Sequence, residues 1–321
     1  MSNLWHDCIS SELDEVERIM GEVLSSDNPE LTEMCNYVIE AGGKRIRPAV
    51  CILAYYASGG KDPKRAIEIG AAFEIIHNAT LVHDDINDQG ELRRGRKALY
   101  KEYSISKSII VGDFMFAMGF RLIGATAPEI VDFIVEASAA MSSGEFIQKK
   151  FENKSTVTEE DYFEIIEGKT ASLISSAAKS GAFLADMEPD FIEALGEYAM
   201  GLGKAFQIID DTLDVIGDTD TTGKMVGLDF IEGKPTLPII YAMQDSEHGE
   251  KIKEIFEEEN VSMESVDNVI KLIRETESIK RCRQKAMEIL TEARGYLEDV
   301  EDSDYKKALL SLGDYIVTRD R

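Results

Sequence analysis

The sequence predicts an all-α fold, a large helical domain whose central helices are buried on most sides. Three observations carry that expectation. Apolar residues recur at three- and four-residue spacings along most of the chain. Alternating strand patterns bounded by turn dipeptides are nearly absent. Only seven prolines interrupt 321 residues, which favours long helices.

The elements follow in order. "SSELDEVERIMGEVLSS" places Leu13, Val16, Ile19, Met20 and Val23 on one helical face. "PAVCILAYYASGG" and "KRAIEIGAAFEIIHNATLVHDDIND" continue the pattern, the second as a long core helix. "PEIVDFIVEASAAMSSGEFIQKK", "EEDYFEIIEGKTASLISSAAKSGAFLA" and "PDFIEALGEYAMGLGKAFQIIDDTLDVIGD" come next, several preceded by proline or serine/threonine start signals. The last quarter, from about Asp245, is helical and strongly charged. No linker and no tandem repeat divides the chain, so residues 1–321 read as a single domain.

A formal net charge of −26 argues against nucleic acid or an anionic membrane as a partner. Cys8, Cys35, Cys51 and Cys282 form no metal-type pair and read as free thiols of a reducing compartment. The N-terminus is acidic and polar, unlike a signal peptide, and no run reaches the ~18 apolar residues of a membrane span. A cytoplasmic protein is the expectation.

Against this acidic background two clusters repeat a spacing. Asp84, Asp85 and Asp88 end "ATLVHDDIND"; Asp210, Asp211 and Asp214 lie in "FQIIDDTLDVIGD". Acids four apart share a helix face, and each like-charge pair destabilises a helix by roughly 0.2–0.5 kcal/mol. One such ladder could be a solvated face. Two, both in apolar surroundings, point to hard divalent cations such as Mg²⁺, which takes one or two carboxylates plus water and phosphate oxygens. His77 and Leu81 extend the first stripe upstream, and Gln207 shares a face with Asp211 and Asp214.

Basic islands beside glycine complement the ladders: Lys44, Arg45 and Arg47 in "AGGKRIRP", Arg93, Arg94, Arg96 and Lys97 in "ELRRGRK", then Lys169, Lys224 and Lys234. Guanidinium forks and ammonium groups suit phosphate, while no Walker-type loop occurs. Metal, diphosphate and apolar walls together suit ionisation of an allylic diphosphate in a water-free pocket.

"GGKRIRP", "HNATLVHDDINDQGELRRG", "GKTASL", "GKAFQIIDDTLDVIGD", "GLDFIEGKPTLP" and the closing "LGDYIVTRDR" resemble, in order, the motifs of the trans-prenyl diphosphate synthases (polyprenyl synthetases). The resemblance runs through almost the whole chain. It implies an isoprenoid-synthase bundle around a deep central cavity, usually a homodimer. It also implies condensation of isopentenyl diphosphate with dimethylallyl, geranyl or farnesyl diphosphate. By motif, the six aspartates would hold Mg²⁺ ions on the allylic diphosphate, which Arg93, Lys169 and Lys224 would also contact. Lys44, Arg47, His77 and Arg94 would hold the second diphosphate. Thr170 and Gln207 would shield the carbocation, Phe206 would pack near the homoallylic substrate, and Lys234 would assist. The chain departs from the family pattern at Lys97, Ser104 and Glu145.

In such a family a large side chain four or five residues before the first ladder shortens the product. Here Ala79 and Thr80 stand there. A residue five back lies ~7.5 Å along the helix, where a growing tail would run. A deeper floor, from Ile76, Phe73, Phe114, Met115 or Met118, implies a product of about C20 or longer. A terpene cyclase and a non-catalytic partner subunit are the other readings. The first would leave "GGKRIRP" idle, and the second commonly lacks ladder acids that are all present here.

Overall fold

The structure, a computed structural model, describes residues 4–124, 126–217, 226–258 and 261–319. It is all-α. Among the described residues the only strands are Leu92–Arg93 and Arg96–Lys97. The chain divides into two compact units. One comprises Met1–Val135, Ser176–Gly196 and Asp299–Ser311; the other comprises Glu136–Ser175, Glu197–Glu298 and Leu312–Arg321.

The helices run in chain order as α1 (Leu4–Asp7), α2 (Ser10–Val23), α3 (Pro29–Ile39), α4 (Ile46–Ala57) and α5 (Lys64–Asn87). The strands β1 (Leu92–Arg93) and β2 (Arg96–Lys97) follow, then α6 (Leu99–Glu102), α7 (Ile105–Ile123), α8 (Pro128–Phe151) and α9 (Glu159–Ile166). A π-turn over Glu167–Ala171 leads into α10 (Ser172–Leu184) and α11 (Pro189–Ile216). Shorter helices follow at Leu228–Ile231, Leu237–Ala242 and Gly249–Phe256, then Met263–Glu275, Ser278–Gly295 and Asp304–Thr318.

Local chemistry sets several starts. Asn28 caps α3 by accepting from the Glu30 and Leu31 amides, with Pro29 in the first turn. Ser104 caps α7, and Thr158 and Asp161 form a reciprocal capping box on α9. Such caps contribute about 1 kcal/mol each.

In the first unit α5 is the spine. It packs against α2, α4 and α7, and most of its residues between Ala66 and Asp85 are buried. That is why its sequence shows no single apolar stripe: a helix covered all round is apolar all round. Close approach uses glycine. A Cβ on Gly181 of α10 would stand 2.1 Å from the Cys51 carbonyl oxygen of α4. In the second unit Tyr162, Tyr198, Phe230 and Phe256 are fully buried, and Phe230 meets Phe256 edge-on at 5.4 Å between ring centres. Burial of each such ring stabilises by roughly 1.5–3 kcal/mol.

The segment "ELRRGRK" is not helical. It forms a two-strand ribbon pairing Leu92 with Lys97 and Arg93 with Arg96. Arg94 and Gly95 at its tip both have positive φ, the two-residue turn that follows strand twist.

Replacing Gly181 by Val should destabilise the first unit by about 1–3 kcal/mol through overpacking against Cys51. Urea denaturation followed by circular dichroism measures it, and unchanged stability would refute this contact.

Candidate active site

Both ladders stand at the C-terminal end of a long helix. Asp84 and Asp85 occupy the last turn of α5 and Asp88 is its C-cap; Asp210, Asp211 and Asp214 occupy the end of α11. A helix C-terminus carries about half a negative charge. Acids there raise the local negative potential, which cations and hydrogen-bond donors relieve.

The two ladders share a pattern. In each, the middle acid is buried and engaged by the protein, while the outer two are at least partly exposed. Asp85 accepts from Arg93 Nε at 2.8 Å and pairs with its Nη2. Asp211 accepts from Tyr162 Oη at 2.6 Å and from Gln207 Nε2 at 2.7 Å; the Gln207 carbonyl accepts from Thr170 Oγ1 at 2.8 Å. Asp214 accepts from the Leu228 and Asp229 amides at 3.3 and 3.2 Å, tying the loop "GLD" to the ladder. Asp210 accepts from Arg319 Nη2 at 3.1 Å.

In the first unit the structure brings together the ladder, both arginine islands and His77. Arg47 is buried, and its Nε has no hydrogen-bond partner among the described residues. Burial pushes the Arg47 guanidinium down to about 10, with Glu74 opposing and Arg94 adding to the shift. Burial, then Arg47, Arg94, Arg93 and Arg45 in turn, hold His77 well below its ordinary value, so its imidazole is neutral at pH 7. Arg94 donates to the Gly42 carbonyl, and Lys44 is exposed beside it in sequence on the same loop. Phe73, Ile76 and Ala79 are fully buried on α5, with Met115 buried on α7; Thr80 Oγ1 bonds the His77 carbonyl at 2.8 Å.

In the second unit Lys169 rises from the π-turn, pairs with Glu145 and reaches Gln148 at 3.4 Å. Thus one departure from the family pattern, Glu145, is the partner of a predicted site lysine. Lys234 pairs with Glu232 at 2.6 Å. The Arg319 guanidinium lies 4.3 Å from the Phe206 ring centre and donates to the Phe206 carbonyl at 3.1 Å. Lys224 lies outside the described residues.

Sequence reading missed Tyr162, Glu74, Arg45 as an internal anchor, and Arg319. Only Arg319 had a signal, the basic closing "TRDR".

The donor set fits a hard divalent cation of the magnesium type. All donors are carboxylate oxygens, which suit an ion that completes its shell with water and phosphate.

Burial, with Asp229 second, raises Asp211 from 3.8 to about 8; hydrogen bonds from Tyr162 and Gln207 oppose it, and Asp210 adds. Asp214 is raised by burial and Asp229, against the backbone donors. A raised carboxyl stabilises the fold while protonated and loses that contribution as pH climbs through the folded value. Metal-free protein should therefore lose stability between pH 3.8 and about 8 at this site. Asp211→Asn should flatten the slope in denaturation midpoints against pH; an unchanged slope would contradict the assignment.

The polyprenyl synthetase family model matches residues 28–273. The chain is 36% identical over 308 residues to an all-trans-nonaprenyl-diphosphate synthase (geranyl-diphosphate specific) of Rhodobacter capsulatus, covering 95% of this chain and 94% of that one. It is 32% identical to a geranylgeranyl diphosphate synthase of Methanosarcina mazei, covering 98% of each. Among solved structures, a polyprenyl synthase from Caulobacter crescentus, complexed with calcium and isoprenyl diphosphate, superposes with a TM-score of 0.95. The identity there is 31%, over 100% of this chain and 98% of that one. With the match spanning well over half the chain, this protein belongs to the polyprenyl synthetase family, the all-trans prenyl diphosphate synthases.

Proposed function

We propose that the chain condenses isopentenyl diphosphate head to tail with an allylic diphosphate, and that residues 1–321 are a single polyprenyl synthetase domain. The observation that carries this reading is the twin ladder. In each the middle acid is buried and held by side chains, with the outer acids at the helix end, and the first is accompanied by a buried, incompletely paired Arg47.

Magnesium, when bound, supplies positive charge at the oxygens of the leaving diphosphate. The six ladder acids would hold it, Asp84, Asp88, Asp210 and Asp214 from the more exposed positions and Asp85 and Asp211 from the buried ones. Arg93, Lys169 and Lys224 neutralise the allylic diphosphate as its C–O bond breaks. Lys44, Arg47, neutral His77 and Arg94 hold the isopentenyl diphosphate. Thr170 and Gln207 turn oxygen dipoles toward the carbocation, and Phe206 packs against the homoallylic chain. Lys234 assists from its loop. The isopentenyl double bond attacks the cation, a new C–C bond forms, and the proton leaves to the released diphosphate.

The relatives' names cover different products, nonaprenyl and geranylgeranyl among them. For this chain, the small residues Ala79 and Thr80, on α5 above Ile76 and Phe73, support a long path. The product is therefore about C20 or longer. No described helix is long and apolar enough to cross a membrane, in keeping with a cytoplasmic enzyme. Ile105, Ile109 and Ile110 are 52, 42 and 57% exposed on α7. That apolar face supports a homodimer.

Purified protein given magnesium, isopentenyl diphosphate and each allylic primer should extend them. Asp84→Ala or Asp210→Ala should cut kcat by about 10²–10³-fold, and Ala79→Phe should shorten the product. A wild-type product stopping at C15, or one unmoved by Ala79→Phe, would overturn the cavity reading. The double variant Ile109→Asp, Ile110→Asp should run as a monomer in light scattering, and a persisting dimer would exclude this face.

A further inference from the structure

Glu74 stands on α5, one turn before Asn78 and three residues before His77. Its side chain is 2% exposed. A carboxylate taken from water without partners costs several kcal/mol, so its surroundings must hold it. Arg45 does so: its Nη1 donates to Glu74 Oε1 at 2.9 Å, and its side chain is 7% exposed.

Arg45 is itself unusual. Its φ is 50°, left-handed, directly before α4. For a residue other than glycine that conformation costs roughly 1–2 kcal/mol, so contacts must fix it. Nη2 donates to the Ile39 carbonyl at 3.0 Å and to Glu17 at 3.2 Å, and Nε donates to Glu17 as well. Every nitrogen of this guanidinium is engaged inside the protein. Arg45 therefore belongs to the loop's frame, whereas Arg47, two residues on, keeps a buried Nε with no hydrogen-bond partner among the described residues.

The α5 backbone at Glu74 also steadies Asn78. The Glu74 backbone carbonyl accepts from Asn78 Nδ2 at 2.7 Å, and Asn78 Oδ1 accepts from Arg94 Nη1 at 3.4 Å. Arg94 has left-handed backbone too, with φ 51°, and its guanidinium packs where a Cβ on Gly43 would come within 3.0 Å of Nη2. Glu74 is the nearby negative charge that offsets the desolvation of both Arg47 and Arg94.

We propose that Glu74 is the positioning residue of the isopentenyl diphosphate pocket. Its carboxylate anchors Arg45, which fixes the loop Gly42–Arg47, and its charge keeps Arg47 and Arg94 together, aimed at one anion. The assignment rests on the function proposed above.

Two effects of removing this charge oppose each other, which makes the test sharp. If Glu74 were merely background charge, Glu74→Gln would strengthen the positive field and tighten diphosphate binding. As a positioning residue, its loss should raise KM for isopentenyl diphosphate by about tenfold, or about 1.4 kcal/mol. KM for the allylic substrate and kcat should stay within about twofold. Inorganic diphosphate binding to wild type and variant, by calorimetry, should weaken in step. Should Glu74→Gln fail to fold by circular dichroism, Arg45→Lys replaces it; that variant keeps a charge opposite Glu74 but loses the fork, and the same selective KM rise is expected. An unchanged or lower KM for isopentenyl diphosphate, or an equal rise for both substrates, overturns the proposal. If wild-type protein transfers no prenyl group at all, the functional reading itself fails instead.

Discussion

Negative charge at helix C-termini is the constraint on which the rest of this structure depends. Two core helices, α5 and α11, end in clusters of aspartate, where the helix dipole already places negative charge. Propensity and dipole both oppose that placement. The surrounding sequence answers it with apolar burial of the helix bodies and with positive groups brought to the acids. Arg93 on Asp85 and Arg319 on Asp210 are the protein's own counter-ions. The chain's overall acidity has no part in this, because screened surface charge does little at these distances.

The basic side of the site is built with the same economy. Arginines packed close together repel one another, and a pocket made only of them would spread apart. Buried Glu74 and the neutral state of His77 limit that repulsion without filling the space an anion would take. Left-handed backbone at Arg45 and Arg94 lets short turns deliver guanidiniums where a helix could not. Strain of this kind persists only where neighbours over-determine it, as the hydrogen bonds of both residues do here.

The fold class, the main helices and both ladders were legible in the sequence because their signals are local. Spacings of three and four mark α2 and α11, a long apolar run marks α5, and Asp84 with Asp88 or Asp210 with Asp214 needs only helical periodicity to be placed on one face. The ribbon at Leu92–Lys97 was less so, since only Gly95 marks its turn. Tyr162 and Glu74 were not legible, and the basic closing segment gave no role to Arg319. Their partners lie 49, 29 and 109 residues away in sequence. A tyrosine on an amphipathic helix and a glutamate in an apolar one look ordinary until packing shows what they face. The difference in role between Arg45 and Arg47 is equally tertiary: the same residue type two positions apart is saturated in one case and not in the other.

The π-turn at Glu167–Ala171 bears on how the second ladder is held. Tyr162 and Thr170 are eight residues apart, yet both meet α11, at Asp211 and through Gln207. At about 100° per residue, eight α-helical steps would leave the two side chains roughly 80° out of line. One wide turn absorbs an extra residue, so the effective count is seven and the misalignment falls to roughly 20°. The irregular turn thus acts as a phase correction, bringing a phenol and a hydroxyl onto a common line. The same residues wound as unbroken α-helix would be better as a helix and would aim one of the two side chains away from the ladder.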